Sequence, residues 1–236
     1  RRVLFRSSAY RLLREAGCDN VNLDLMFGLP QQTLQEWEAD VSEALTLSPE
    51  HLSLYNLTIE AGTEFGNRQA RGELREVDED LSADMYELAM DRTRAAGYSQ
   101  YEISNYSRPG RQCAHNLIYW RNEPYLGFGV SAASFIDGLR WTNTGNLREY
   151  AQTAASGRVS RATEEALKDR EALGEEIMLR LRTSEGISLS SLSTHYHFDV
   201  ASLFSQTLEL LSTHDFITQA GDRVQLTRQG RLMANE

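Results

Sequence analysis

Cysteine is scarce in this chain. Its 236 residues hold two, Cys18 and Cys113, which make neither a disulfide framework nor a CxxC site. A reducing cytoplasm is the compartment that such thiol usage suggests. Long apolar runs are missing too: none reaches the ~18 residues that a membrane span needs, and no secretory signal is visible. Positive charge is in deficit, with 24 Lys and Arg against 34 Asp and Glu, a formal net charge of -10. That balance argues against nucleic acid as the main partner, since phosphate neutralisation requires the opposite sign. What is present is ordinary. A chain with 41% hydrophobic and 25% charged residues buries a full core as one large domain or as a large and a small one.

The opening residues stand apart. Arg2 to Ser7, RVLFRS, reads as a translated sequencing adapter, with a basic N-terminal tail as the alternative, and helical patterning begins at Ser8. These residues are set aside from fold reasoning, and the expectation is a fragment whose own N-terminal part is missing.

Asn20 to Thr33 is the stretch around which the rest is arranged. Val21, Leu23, Leu25 and Phe27 alternate with Asn22, Asp24 and Met26, the period of a strand. Gly28-Leu29-Pro30 ends it, and Thr33 with Glu36 three residues on forms a capping-box pattern that opens a helix. Asp24 therefore falls toward the carboxyl end of a strand, where α/β sheets and barrels bind ligands. Helical spacing recurs over 33–47 and 80–96, with strands expected over 51–60 and 98–106. Residues 61–77 read as a surface loop. Alternating elements of this kind predict a parallel α/β sheet with right-handed crossovers. Asn22, Asp24 and Met26 share one strand face, as do Asn56, Thr58 and Glu60, and Glu102 and Ser104. They are expected to converge on a pocket, the alternative being a half-exposed sheet that meets water.

Further on, 125–136 reads as a strand rich in small residues, 146–156 as a short helix and 157–162 as a linker. From Glu164 the pattern predicts a helix to Leu181, a helix over 199–213 and a hairpin pairing 216–219 with 223–226. This is the outline of a small winged-helix-like domain. Residues 164–236 carry seven Lys and Arg against twelve Asp and Glu, so docking or closing is expected of it rather than DNA binding.

Five stretches, NLDLMFGLPQQT, HLSLYNLTIEAGT, GYSQYEISNYSRPG, CAHNLIYWRN and YLGFGVSAASF, resemble in this order the HemW-type haem chaperones. These are radical SAM (S-adenosylmethionine) proteins, close to the oxygen-independent coproporphyrinogen III oxidases. The resemblance runs from Ala9 to the C-terminus, and its most specific part is His115-Asn116-x-x-Tyr119-Trp120. It implies an α/β fold: a partial parallel (β/α) barrel of radical SAM type over 8–160, incomplete here, and an accessory winged-helix-like domain over 161–236.

The resemblance also implies a [4Fe–4S] cluster held by CxxxCxxC, with SAM on its open iron. Cys18 and Cys113 cannot supply that motif, so the chain as given is expected to bind no cluster and to run no radical chemistry. Carried over by position, Asp24, Thr58 and Ala133 are the expected SAM contacts, Thr58 through its backbone. Ala133 departs from the family, whose chaperones often place a His there. His115 is the expected axial ligand to haem, with Tyr119 and Trp120 as flat walls for the porphyrin. The implied partners are haem and a haem-accepting respiratory protein. The rival activity is that of the oxidase, in which a SAM-derived radical abstracts hydrogen from a propionate.

Overall fold

The structure is a computed structural model that describes the backbone of residues 2–234 and the side chains of residues 7–234. It divides between Gln112 and Cys113 into two compact units, each with its own elements.

The first unit runs α1 (Arg2–Glu15), β1 (Asn22–Phe27), α2 (Leu34–Thr46), β2 (His51–Asn56), α3 (Glu64–Ala70), α4 (Glu79–Ala95), β3 (Ser99–Gln100) and β4 (Asn105–Ser107). The turn after β1 follows from its chemistry. Gly28 adopts φ 71°, and a Cβ there would lie 2.3 Å from Asn56 Oδ1, so any other residue would be strained and would have to push the Asn56 amide aside. Thr33 then caps α2: its Oγ1 accepts from the Glu36 amide (3.2 Å) while its own amide donates to the Glu36 carboxylate (2.9 Å). This is the expected capping box. One face of α2 buries Trp37, Val41 and Ala44, and one face of α4 buries Met85, Tyr86, Ala89, Met90 and Thr93. The two helices meet where Trp37 Nε1 donates to the Met85 carbonyl at 2.8 Å.

β1 and β2 pair in parallel from Asn22↔His51 to Phe27↔Asn56. The third strand differs from expectation. The chain reverses between β3 and β4, which pair antiparallel with each other, and β4 lies antiparallel against β2 with His51 opposite Ser107. The sheet order is β1-β2-β4-β3, so the sheet is mixed rather than all parallel. The cause is local. Glu102 accepts from the Ser104 amide (2.9 Å) and from Asn105 Nδ2, closing a turn where the alternation YSQYEIS reads as continuous strand. Residues 61–77 include α3, which Thr63 caps by accepting from the Gly66 amide at 3.1 Å.

The second unit runs α5 (Ala114–Trp120), β5 (Ala133–Ile136), β6 (Leu139–Asn143), α6 (Leu147–Ala155), β7 (Arg161–Ala166), α7 (Asp169–Leu181), β8 (Ile187–Ser188), α8 (Leu189–Tyr196), α9 (Val200–Leu203), α10 (Ser205–Thr213), β9 (Ile217–Ala220), β10 (Arg223–Leu226) and α11 (Arg228–Leu232). Strands β5, β6 and β7 form an antiparallel sheet. The expected linker is therefore partly strand, and a boundary at residue 161 would cut a sheet in which Arg140 pairs with Glu165 and Trp141 with Glu164. Every residue of β7 is exposed, as an edge strand allows, so it lacks the alternation that marks half-buried strands. The C-terminal part has the expected winged outline. Its antiparallel sheet β8-β10-β9 closes over Leu173, Ile187, Leu189, Leu192, Val200, Ile217 and Val224. The expected single helix over 199–213 breaks at Phe204 into α9 and α10. Among the described residues, no helix is long and apolar enough to cross a membrane.

Candidate functional site

The parallel register of β1 and β2 builds the polar centre of the first unit. Asn22 and Asp24 project from one face of β1, and their partners His51 and Ser53 stand beside them on β2. Asn22 Nδ2 donates to Asp24 Oδ1 at 2.7 Å and to Ser53 Oγ at 3.0 Å. Asn22 Oδ1 lies 2.7 Å from His51 Nδ1, and His51 Nε2 lies 2.8 Å from the Tyr101 hydroxyl. The chain Tyr101–His51–Asn22–Asp24 runs from a buried end to an exposed one. Burial pushes the His51 imidazole below its ordinary pKa, and the Asp24 charge pulls the other way.

The expected convergence of three strand faces is only partly present. Asp24 joins this chain, but Thr58 does not lie on a strand: β2 ends at Asn56 and Thr58 is exposed two residues beyond it. Glu102 is 1% exposed and occupied by its own turn, where burial pushes its carboxyl up despite hydrogen bonds from Ser104 and Asn105. His51 and Tyr101 were not singled out from sequence. The signal available was the pairing of two parallel strands that both open on a polar residue, Asn22 and His51.

In the second unit, His115 and Tyr119 occupy adjacent turns of α5, with His115 Nε2 3.1 Å from the Tyr119 hydroxyl. Their rings meet edge to face at 4.9 Å, Tyr119 meets Tyr125 at 4.6 Å, and Tyr125 meets Phe135 at 6.4 Å. An aromatic row thus leads away from an exposed imidazole. Trp120 is half-buried. Ala133 opens β5 and is exposed, and a Cβ on Gly127 would come within 2.1 Å of the Ala133 carbonyl. Close backbone packing accounts for the small residues here.

The thiols do not suit an iron–sulfur cluster. Cys18 is exposed just after α1 and Cys113 is the N-cap residue of α5. Among the described residues, no group of three or more His, Cys, Asp or Glu could hold a metal ion. A cluster that needs several thiolates at close spacing does not fit the residues of this chain.

Comparison with known proteins gives the relationship. The heme chaperone HemW of Bacillus subtilis is 39% identical over 230 residues, which is 97% of this chain and 60% of that protein. The chain is a HemW homologue. Heme chaperone HemW of Escherichia coli agrees, at 37% identity over 235 residues, 96% of this chain and 59% of that protein. The chain thus spans about 60% of the length of these HemW relatives. Residues 167–233 also match the family profile of the HemN C-terminal domain. Among solved structures, coproporphyrinogen III oxidase (HemN) from Escherichia coli, described as a radical SAM enzyme, superposes with a TM-score of 0.77. That match covers 99% of this chain and 57% of that one at 21% identity, so it establishes a shared mixed α/β fold.

Proposed function

We propose that this chain is part of a haem chaperone, a protein that binds haem and hands it to a haem-requiring acceptor. The observation that carries the reading is the 39% identity to a heme chaperone across 97% of the chain. Haem is the cargo. His115, exposed on α5, offers its iron a neutral imidazole nitrogen, and Tyr119 and Trp120 offer flat apolar surface to the ring. The Tyr119 hydroxyl stands 3.1 Å from Nε2, so ligation through that nitrogen would displace the hydroxyl. The acceptor in this reading is a respiratory haem protein, reached from the cytoplasm.

SAM is the second ligand of the proposal. The Asp24 carboxylate, at the exposed end of its hydrogen-bonded chain, would accept from a ribose hydroxyl or from the α-ammonium group. Thr58 would contribute through its backbone. No step is derived through an iron–sulfur cluster, since the residues here do not fit one.

Haem titration tests the proposal. The chain should produce a red-shifted Soret band at one equivalent of haem, and His115→Ala should weaken binding about tenfold or more, the loss of one axial bond of over ~1.4 kcal/mol. An unchanged Soret band and affinity in His115→Ala would overturn the assignment of that residue. Conversion of coproporphyrinogen by the protein would favour the oxidase.

A further inference from the structure

Asp24 is exposed on a strand, yet its carboxylate is not left to find its own orientation. Asn22 lies two residues away on the same face and donates to Asp24 Oδ1 at 2.7 Å. An amide can flip, and a flipped Asn22 would turn its carbonyl oxygen on the carboxylate. The carboxylate only accepts, so it holds Nδ2 toward itself and leaves Asn22 Oδ1 facing His51. His51 is 6% exposed and 2.7 Å from Asn22 Oδ1. A carbonyl oxygen only accepts, so the hydrogen belongs on Nδ1, and in the neutral ring Nε2 then accepts from the Tyr101 hydroxyl at 2.8 Å. Ser53 adds a second restraint, its hydroxyl lying 3.3 Å from Asn22 Oδ1 and 3.0 Å from Nδ2. Every hydrogen bond from Tyr101 to Asp24 therefore points the same way, toward the carboxylate. With Oδ1 committed to Asn22, Oδ2 is the oxygen left to accept from a ligand.

We propose that His51 is a positioning residue for the Asp24 carboxylate, acting through Asn22, and so sets the affinity of this site for a ligand bearing a hydroxyl or ammonium group. The inference rests on the reading of Asp24 as a SAM contact for its ligand, but not for its geometry. His51 touches no ligand itself.

Two substitutions separate positioning from filling space. His51→Asn puts an amide nitrogen where Nδ1 stood and keeps the bond to Asn22. His51→Gln is nearer in volume but reaches toward Tyr101 and leaves Asn22 without its donor. The first readout needs no ligand: the side-chain amide signals of Asn22 and the carboxyl carbon signal of Asp24, by NMR on the full chain. Both should move in His51→Gln and stay close to wild type in His51→Asn. The second readout is SAM affinity by calorimetry. His51→Gln should weaken it about fivefold to tenfold, the weight of one hydrogen bond, and His51→Asn less than about twofold. In an Asp24→Asn background, His51→Gln should add nothing further. Asn22 and Asp24 signals unmoved in His51→Gln, or moved equally by both substitutions, would overturn the positioning role. If those signals behave as expected while SAM fails to bind, or binds equally well to Asp24→Asn, the SAM reading falls and the positioning of Asp24 stands.

Discussion

Glu102 shows at the scale of one residue how burial and titration combine. Its carboxyl is pushed above the ordinary value of 4.5 because it lies inside the first unit, and two donated hydrogen bonds offset this only in part. A raised carboxyl binds its proton more tightly in the folded state, so stability declines as pH rises from 4.5 through the raised value. Beside it, Asn105 Oδ1 is buried without a hydrogen-bond partner. Glu102 Oε1 and Oε2 now accept from Asn105 Nδ2 and the Ser104 amide, so a protonated Glu102, or a glutamine amide in its place, donates to that oxygen when the Asn105 amide turns over. Glu102→Gln should therefore match wild type in acid and exceed it at pH 7, as read from urea midpoints across a pH series; a lower midpoint at pH 7 would refute this. Tyr119 gives a second residue-scale expectation. Tyr119→Phe keeps the ring beside His115 and removes the hydroxyl 3.1 Å from Nε2. Haem should then bind about fivefold more tightly, the gain from one competing hydrogen bond of ~1 kcal/mol, by Soret titration.

At the scale of elements, the capping box of α2 joins the β1 turn to the helix that buries Trp37. Thr33→Ala removes the acceptor for the Glu36 amide and should lower stability by about 1 kcal/mol in urea unfolding with unchanged m-value. Both halves of that box are visible in the sequence, Thr33 and Glu36 three apart. The β3–β4 reversal was not visible in the same way. Tyr98 to Tyr106 alternates well enough for one strand, and the turn depends on a buried carboxylate gathering the Ser104 and Asn105 donors. β7 was missed for the opposite reason. RATEEA carries no apolar face, and only its register against β6, with Arg161 over the Trp141 ring at 4.5 Å, makes it a strand.

For the whole molecule, the division between Gln112 and Cys113 has a consequence for dissection. A piece beginning at Cys113 keeps β6 and β7 paired, whereas one beginning at Arg161 leaves β7 without its partner. Hydrogen exchange should show protected amides over 161–166 in the first piece and fast exchange there in the second. Equal exchange in both would place the division elsewhere. In the winged C-terminal part seven Lys and Arg stand among twelve Asp and Glu over 164–236, a balance opposite to the one that phosphate neutralisation needs.

The sequence by itself determined the elements whose reasons are local. The alternation of β1, the Gly28 turn, the Thr33 cap, the spacing of α2 and α4 and the β9–β10 hairpin each need only neighbours along the chain. The HNxxYW run was legible as a resemblance to a known family, whereas the helix that carries it, α5, was not read from the sequence. Tertiary structure alone decided which strands run antiparallel, where the chain divides, and that His51 rather than Glu102 stands behind Asp24. The last of these depends on partners 29 residues apart, Asn22 with His51, and the placing of β4 against β2 on partners such as Ser53 and Asn105; a single strand's pattern does not say which strand will lie beside it.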